Sequence, residues 1–207
     1  MNRFTWFLIV VYLICTIVDS YASEHGSKRY GKVLLMPLLV IILMINESKA
    51  GLLYGALVAC WCGDLLLIHK SPKRNMTGMF CFLTGHVLYL LFFLQKVVRF
   101  SIVSMMTGII LYAVLMLFYI RKIWCHASSS LRLPSMVYMI TIFAMSFACF
   151  LSIPASSLWI TWIGTVFFVI SDILISDQLF RHLPQKGVME TYGPAQLLIV
   201  IGILLTA

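Results

Sequence analysis

Apolar runs of about 15 to 20 residues recur along almost the whole chain, separated by short polar or charged stretches. Runs of that length read as transmembrane helices, because a bilayer core of about 30 Å asks for about 20 residues. Eight are expected, over roughly 4–22, 33–46, 51–68, 76–94, 101–120, 133–151, 158–175 and 192–206. The second and the last are the shortest. No stretch is long and polar enough to form a separate soluble unit, so residues 1–207 read as one membrane domain. Only 11% of residues are charged, against about 25% in ordinary soluble domains. The fold class is therefore all-α, a polytopic bundle of about eight transmembrane helices. The opening run, "MNRFTWFLIVVYLICTIV", reads as the first helix rather than a cleaved signal.

The formal net charge of +8 does not point to nucleic acid. The Lys and Arg residues sit in short clusters between apolar runs, as in loops facing anionic headgroups. Eleven of the fifteen follow helices one, three, five and seven. The positive-inside rule places those loops in the cytoplasm and both termini on the non-cytoplasmic side. The six Cys fall mostly inside apolar runs and read as small packing residues.

The polar residues inside the runs carry the functional signal. Asp19, Asp64 and Asp172 lie near the ends of helices one, three and seven. Tyr138 lies near the start of helix six, Tyr192 and Gln196 near the start of helix eight, and His86 about midway along helix four. With the helices alternating in direction, these groups gather toward the cytoplasmic half. A charged group at membrane depth costs about 2.5 kcal/mol or more, usually faces the bundle interior and marks function. A weak internal echo joins "GDLLLI" (63–68) to "SDILIS" (171–176), and "TGH" (84–86) to "PAQ" (194–196). It is the pattern of a parallel duplication that sets Asp64 and Asp172 in equivalent places.

Two carboxyl groups sharing one low-dielectric pocket do not both ionise readily, so an acid ends up beside a carboxylate. That pair suits proton donation and stabilisation of an oxocarbenium-like cation. It requires helices three and seven to meet. A metal is not expected, since His86 is alone among the five His in lying well inside a run. No cofactor is expected either. A proton-coupled transporter or lipid-binding protein using the same polar layer is the alternative.

An ordered set of motifs resembles the YhhN family of membrane proteins, which includes the lysoplasmalogenases. The matching stretches are "VDSY" (18–21), "LLMPLL" (34–39), "CGDLLL" (62–67), "TGHVLY" (84–89), "PSMVYMITIFAM" (134–145), "GTVFFVISDILIS" (164–176) and "YGPAQLLIV" (192–200). The resemblance implies an eight-helix bundle that hydrolyses the vinyl ether bond of lysoplasmalogens. The products would be a fatty aldehyde and glycerophosphoethanolamine or glycerophosphocholine. It places the family's paired acids on Asp64 and Asp172; the polar layer itself adds His86 as a third catalytic group. Tyr138, Gln196, Asp19, Tyr192 and Lys32 would contact substrate. Relatives often carry Lys beside the helix-two proline, where this chain has Met36 before Pro37. Lys32, one turn earlier on the same face, is expected to snorkel to the lipid phosphate instead. Lys28, Arg29, Lys73 and Arg74 are further surface candidates for that phosphate. The expected partners are the bilayer and a lysophospholipid. The expected setting is multi-pass, in the inner membrane of a bacterium or the endoplasmic reticulum of a eukaryote.

Overall fold

The computed structural model describes residues 2–25, 31–68, 71–97, 101–156, 158–181 and 187–206. They form eight helices: α1 (Arg3–Glu24), α2 (Gly31–Ile45), α3 (Gly51–Leu67), α4 (Pro72–Lys96), α5 (Ile102–His126), α6 (Ser129–Ser156), α7 (Trp159–Arg181) and α8 (Val188–Leu205). The eight expected runs and the all-helical class are both present. Six of the helices are long and apolar enough to cross a membrane, which makes this a multi-pass membrane protein. The short pair differs from expectation. It is α2 and α3, with 15 and 17 residues, which at 1.5 Å per residue extend about 22 and 25 Å. Helix α8 gains a turn at its start, where Gly187 at φ 78° precedes it in a left-handed conformation that glycine adopts without strain.

Local chemistry explains several helix ends. Asn2 caps α1, its Oδ1 accepting from the backbone N–H groups of Phe4 and Thr5 at 2.9 and 3.0 Å. Pro72 opens α4, where its missing N–H costs nothing. Helix α5 runs on through Arg121 and Lys122 to His126, because charge at a headgroup boundary does not break a helix.

Six helices close a ring in the order α2–α3–α4–α6–α7–α8 and back to α2. Helix α1 lies outside against α2 and α8, and α5 lies outside against α6 and α7. The outward faces of these two are apolar, with Trp6, Phe7, Ile17, Ile102, Val103 and Phe118 all exposed, as contact with lipid tails requires. Inside the ring the largest buried side chains include Tyr89, Phe93, Phe168, Leu35 and Met36.

The tightest pairs are the hairpins α3–α4 and α7–α8. In the second, Gly164 lets the two backbones touch. A Cβ there would stand 2.8 Å from both the Ala195 carbonyl oxygen and the Ile199 nitrogen. Small residues at such crossings allow the close approach on which helix association in lipid depends. Gly164→Ala is expected to cost about 1–3 kcal/mol by overpacking, read as a lower melting temperature in nanodiscs.

Candidate functional site

Each of the six ring helices sends a polar side chain to the interior: Lys32, Asp64, His86, Tyr138, Asp172 and the pair Tyr192 and Gln196. Asp64, His86 and Gln196 are fully buried, and Asp172 and Lys32 nearly so. Neither carboxylate turns outward to lipid.

The α2–α3 contact sets the first cluster. The Trp61 indole N–H donates to the Val33 carbonyl at 2.9 Å, which fixes the register of the two helices next to Lys32. The Lys32 Nζ then meets Asp64 Oδ1 at 2.8 Å. Tyr192 on α8 donates its hydroxyl proton to Asp64 Oδ2 at 2.9 Å. The ammonium also lies 5.0 Å from the Tyr192 ring centre and 5.7 Å from that of Phe82, so aromatic faces complete its cage. Lys32 thus differs from its expected place. It is drawn inward by a buried carboxylate, which outcompetes snorkelling because an unpaired anion at this depth is costly.

Asp19 supports that inward turn. Its Oδ1 accepts from the Lys32 backbone N–H at 3.0 Å. It therefore serves the first turn of α2, where N–H groups lack helical partners and the helix dipole favours an anion. Asp19→Ala is expected to lower stability by about 1–2 kcal/mol, measured as a thermal shift.

The second cluster surrounds Asp172. Tyr138 on α6 donates to Asp172 Oδ2 at 2.9 Å, and His86 Nε2 stands 3.6 Å from the same oxygen. The His86 ring is held edge-on between Tyr138 and Phe168, with centroid separations of 5.1 and 4.8 Å. Neither His86 nitrogen has a hydrogen-bond partner among the described residues, and neither does Gln196 Nε2. Buried polar atoms are nearly always partnered, so three orphans in one enclosed layer mark a place built for something polar. Gln196 itself is fixed through its Oε1, which accepts from Tyr89 at 2.6 Å.

Phe168 joins the two clusters, since its ring also packs edge-on against Tyr192 at 5.5 Å. A continuous run of contacts leads from Lys32 through Asp64, Tyr192, Phe168 and His86 to Asp172 and Tyr138. The direct meeting of α3 and α7 anticipated from sequence is corrected by this geometry. The two helices stand on opposite sides of the ring without backbone contact, and side chains from α4 and α8 span the gap. Each tight hairpin reaches across to the other: Asp64 of α3 meets Tyr192 of α8, and Asp172 of α7 meets His86 of α4.

Phe168, Tyr89 and Trp61 were not singled out from sequence. Phe168 is four residues before Asp172 and Tyr89 three after His86, so helical spacing puts each on its neighbour's face. Among the surface candidates for a phosphate, Arg74 is exposed, whereas Lys28, Arg29 and the Lys73 side chain lie outside the described residues. No three His, Cys, Asp or Glu side chains come together in a metal-binding group among the described residues. No curated protein and no solved structure matches the chain. The YhhN family pattern matches residues 27–203, from the approach to α2 into the last turn of α8. On that match, which covers most of the chain, the chain belongs to the YhhN family.

Proposed function

We propose that this protein is a membrane hydrolase that cleaves the vinyl ether bond of lysoplasmalogens, with Asp172 as the acid and Asp64 as the carboxylate. The observation that carries the reading is the unequal company of two acids inside one ring. Asp64 is neutralised by an ammonium at 2.8 Å and so remains a carboxylate. Asp172 is met by a phenol and an imidazole instead.

The steps follow from vinyl ether chemistry. Asp172 gives its proton to the alkenyl carbon remote from oxygen, and the carbon bonded to oxygen becomes an oxocarbenium ion. Asp64 stabilises that cation. Water adds, losing a proton that returns to Asp172 by way of His86. The hemiacetal collapses to a fatty aldehyde and a glycerophospho-alcohol, with no net proton consumed. The Gln196 amide nitrogen and the His86 nitrogens, which make no hydrogen bond to a nitrogen or oxygen among the described residues, would hold the water or the ether oxygen. Membership of a family that includes lysoplasmalogenases supports the substrate class.

The test is aldehyde release from lysoplasmalogen by the purified protein in nanodiscs. Release that scales with enzyme supports the reading. An inactive, well-folded protein that instead drives proton-coupled flux in liposomes would replace it with a transporter.

A further inference from the structure

Helix α5 touches α7 only along a short stretch. Between α5, α6 and α7 lies a crevice of about 280 Å³, lined by Leu115, Phe118 and Tyr119 of α5, Phe143 of α6, and Val169 and Ile173 of α7 among others. Leu115 is 46% exposed and Phe118 72%, so the crevice opens sideways to lipid. Lys122 lies at one end, ion-paired with Asp177 at 2.5 Å and 5.6 Å from the Tyr119 ring centre. Tyr119 is 3% exposed, and its hydroxyl has no hydrogen-bond partner among the described residues. A buried phenol without a partner beside an apolar slot points to a ligand with a polar group at that level.

We propose that this crevice seats the hydrocarbon chain of a zwitterionic single-chain phospholipid, admitted sideways from the bilayer. Its phosphate rests on Lys122, its ammonium on Asp177, and its glycerol against the Tyr119 hydroxyl. Three features select that occupant. The volume equals roughly nine water-sized units, which suits part of one chain and not two. The paired charges of Lys122 and Asp177 complement a zwitterion, whereas the carboxylate of a free fatty acid would meet Asp177. The level also fits the chemistry. Asp177 lies five residues beyond Asp172, about 7.5 Å along the helix, and Ile173 faces the crevice directly next to Asp172. A headgroup held at Lys122 and Asp177 therefore leaves the first bonds of the chain at the depth of the proposed acid. The inference deepens the hydrolase reading and rests on it for why the lipid comes here, but docking is measured without turnover.

The probe is a lysophosphatidylcholine whose ester-linked acyl chain carries a diazirine, with no vinyl ether to cleave. It is added to the full chain in dioleoylphosphatidylcholine nanodiscs, irradiated, and the labelled peptides are mapped. Label is expected to concentrate at 115–119 and 166–173. Lys122→Gln and Leu115→Trp should each reduce it by about three- to tenfold, the loss of a charge-assisted contact or of chain volume. Leu115 is half-exposed, so the second variant keeps the fold. A diazirine fatty acid should label these segments less. Label spread evenly over the lipid faces of α1 and α5, equal labelling by the fatty acid, or no change in either variant would overturn the proposal. Asp172→Asn should leave the label in place. Labelling of the crevice by a protein that releases no aldehyde would uphold docking and sink the hydrolase. Aldehyde release with label elsewhere would do the reverse.

Discussion

Asp172→Asn is expected to lower aldehyde release by about 10²- to 10⁴-fold, the range a general acid contributes, while the bundle stays folded. Asparagine has nearly the shape of aspartate and keeps an oxygen for the Tyr138 hydroxyl, which now donates to Asp172 Oδ2 at 2.9 Å. The substitution breaks no direct Lys or Arg ion pair, because the side chains that meet the Asp172 carboxylate are the Tyr138 phenol and the His86 imidazole. Packing and hydrogen bonding therefore change little. What is lost is a proton that can be given to carbon, which an amide does not supply. Turnover is read as aldehyde formation and folding as the melting temperature in nanodiscs. A variant melting as wild type but running within about threefold of its rate would deprive Asp172 of the acid's role, since a positioned acid is worth far more than that.

Lys32→Met is expected to be the most destabilising of the substitutions at the site, at about 3–5 kcal/mol, because removing one partner of a buried ion pair strands the other. Asp64 has no exposed surface and Lys32 only 7% at the side chain, so solvent screens the pair little. Methionine fills most of the same volume, so the loss reports charge rather than a hole. The double variant Lys32→Met with Asp64→Asn separates structure from chemistry. It removes both charges together, and its stability should recover most of the loss. Its activity should not recover, because the carboxylate proposed to stabilise the cation is gone. A single Lys32→Met protein as stable as wild type would mean that water reaches Asp64 and that the pair is not sealed in the ring.

Much of this arrangement could be read from the sequence, for a physical reason. Bilayer thickness dictates the length of an apolar run, so the eight helices announce themselves. Helix ends do not, since hydropathy marks where lipid stops rather than where hydrogen bonding stops. Helix α5 therefore continues six residues past its expected boundary, and α6 continues beyond Pro154 to Ser156. Asp64, His86, Asp172 and Gln196 stood out because a polar group at depth needs a reason. Lys32 was harder. A lysine near the end of an apolar run has a ready outlet at the headgroups, and only the position of Asp64 across the α2–α3 contact shows that it turns inward. Ring order was not legible at all. These helices are apolar on most faces, so no stripe says which neighbour each one chooses.

The exchange between hairpins also bears on how the protein comes into being. Asp64 is made early in synthesis, yet its Tyr192 partner arrives with the last helix. Asp172 completes the opposite crossing to His86. A nascent chain that has inserted only its first half can already pair Lys32 with Asp64, but Asp64 still lacks Tyr192 and His86 still lacks Asp172. The polar layer is therefore complete only after α8 slots between α7 and α2. Until then, the inserting chain carries only parts of the interior polar layer.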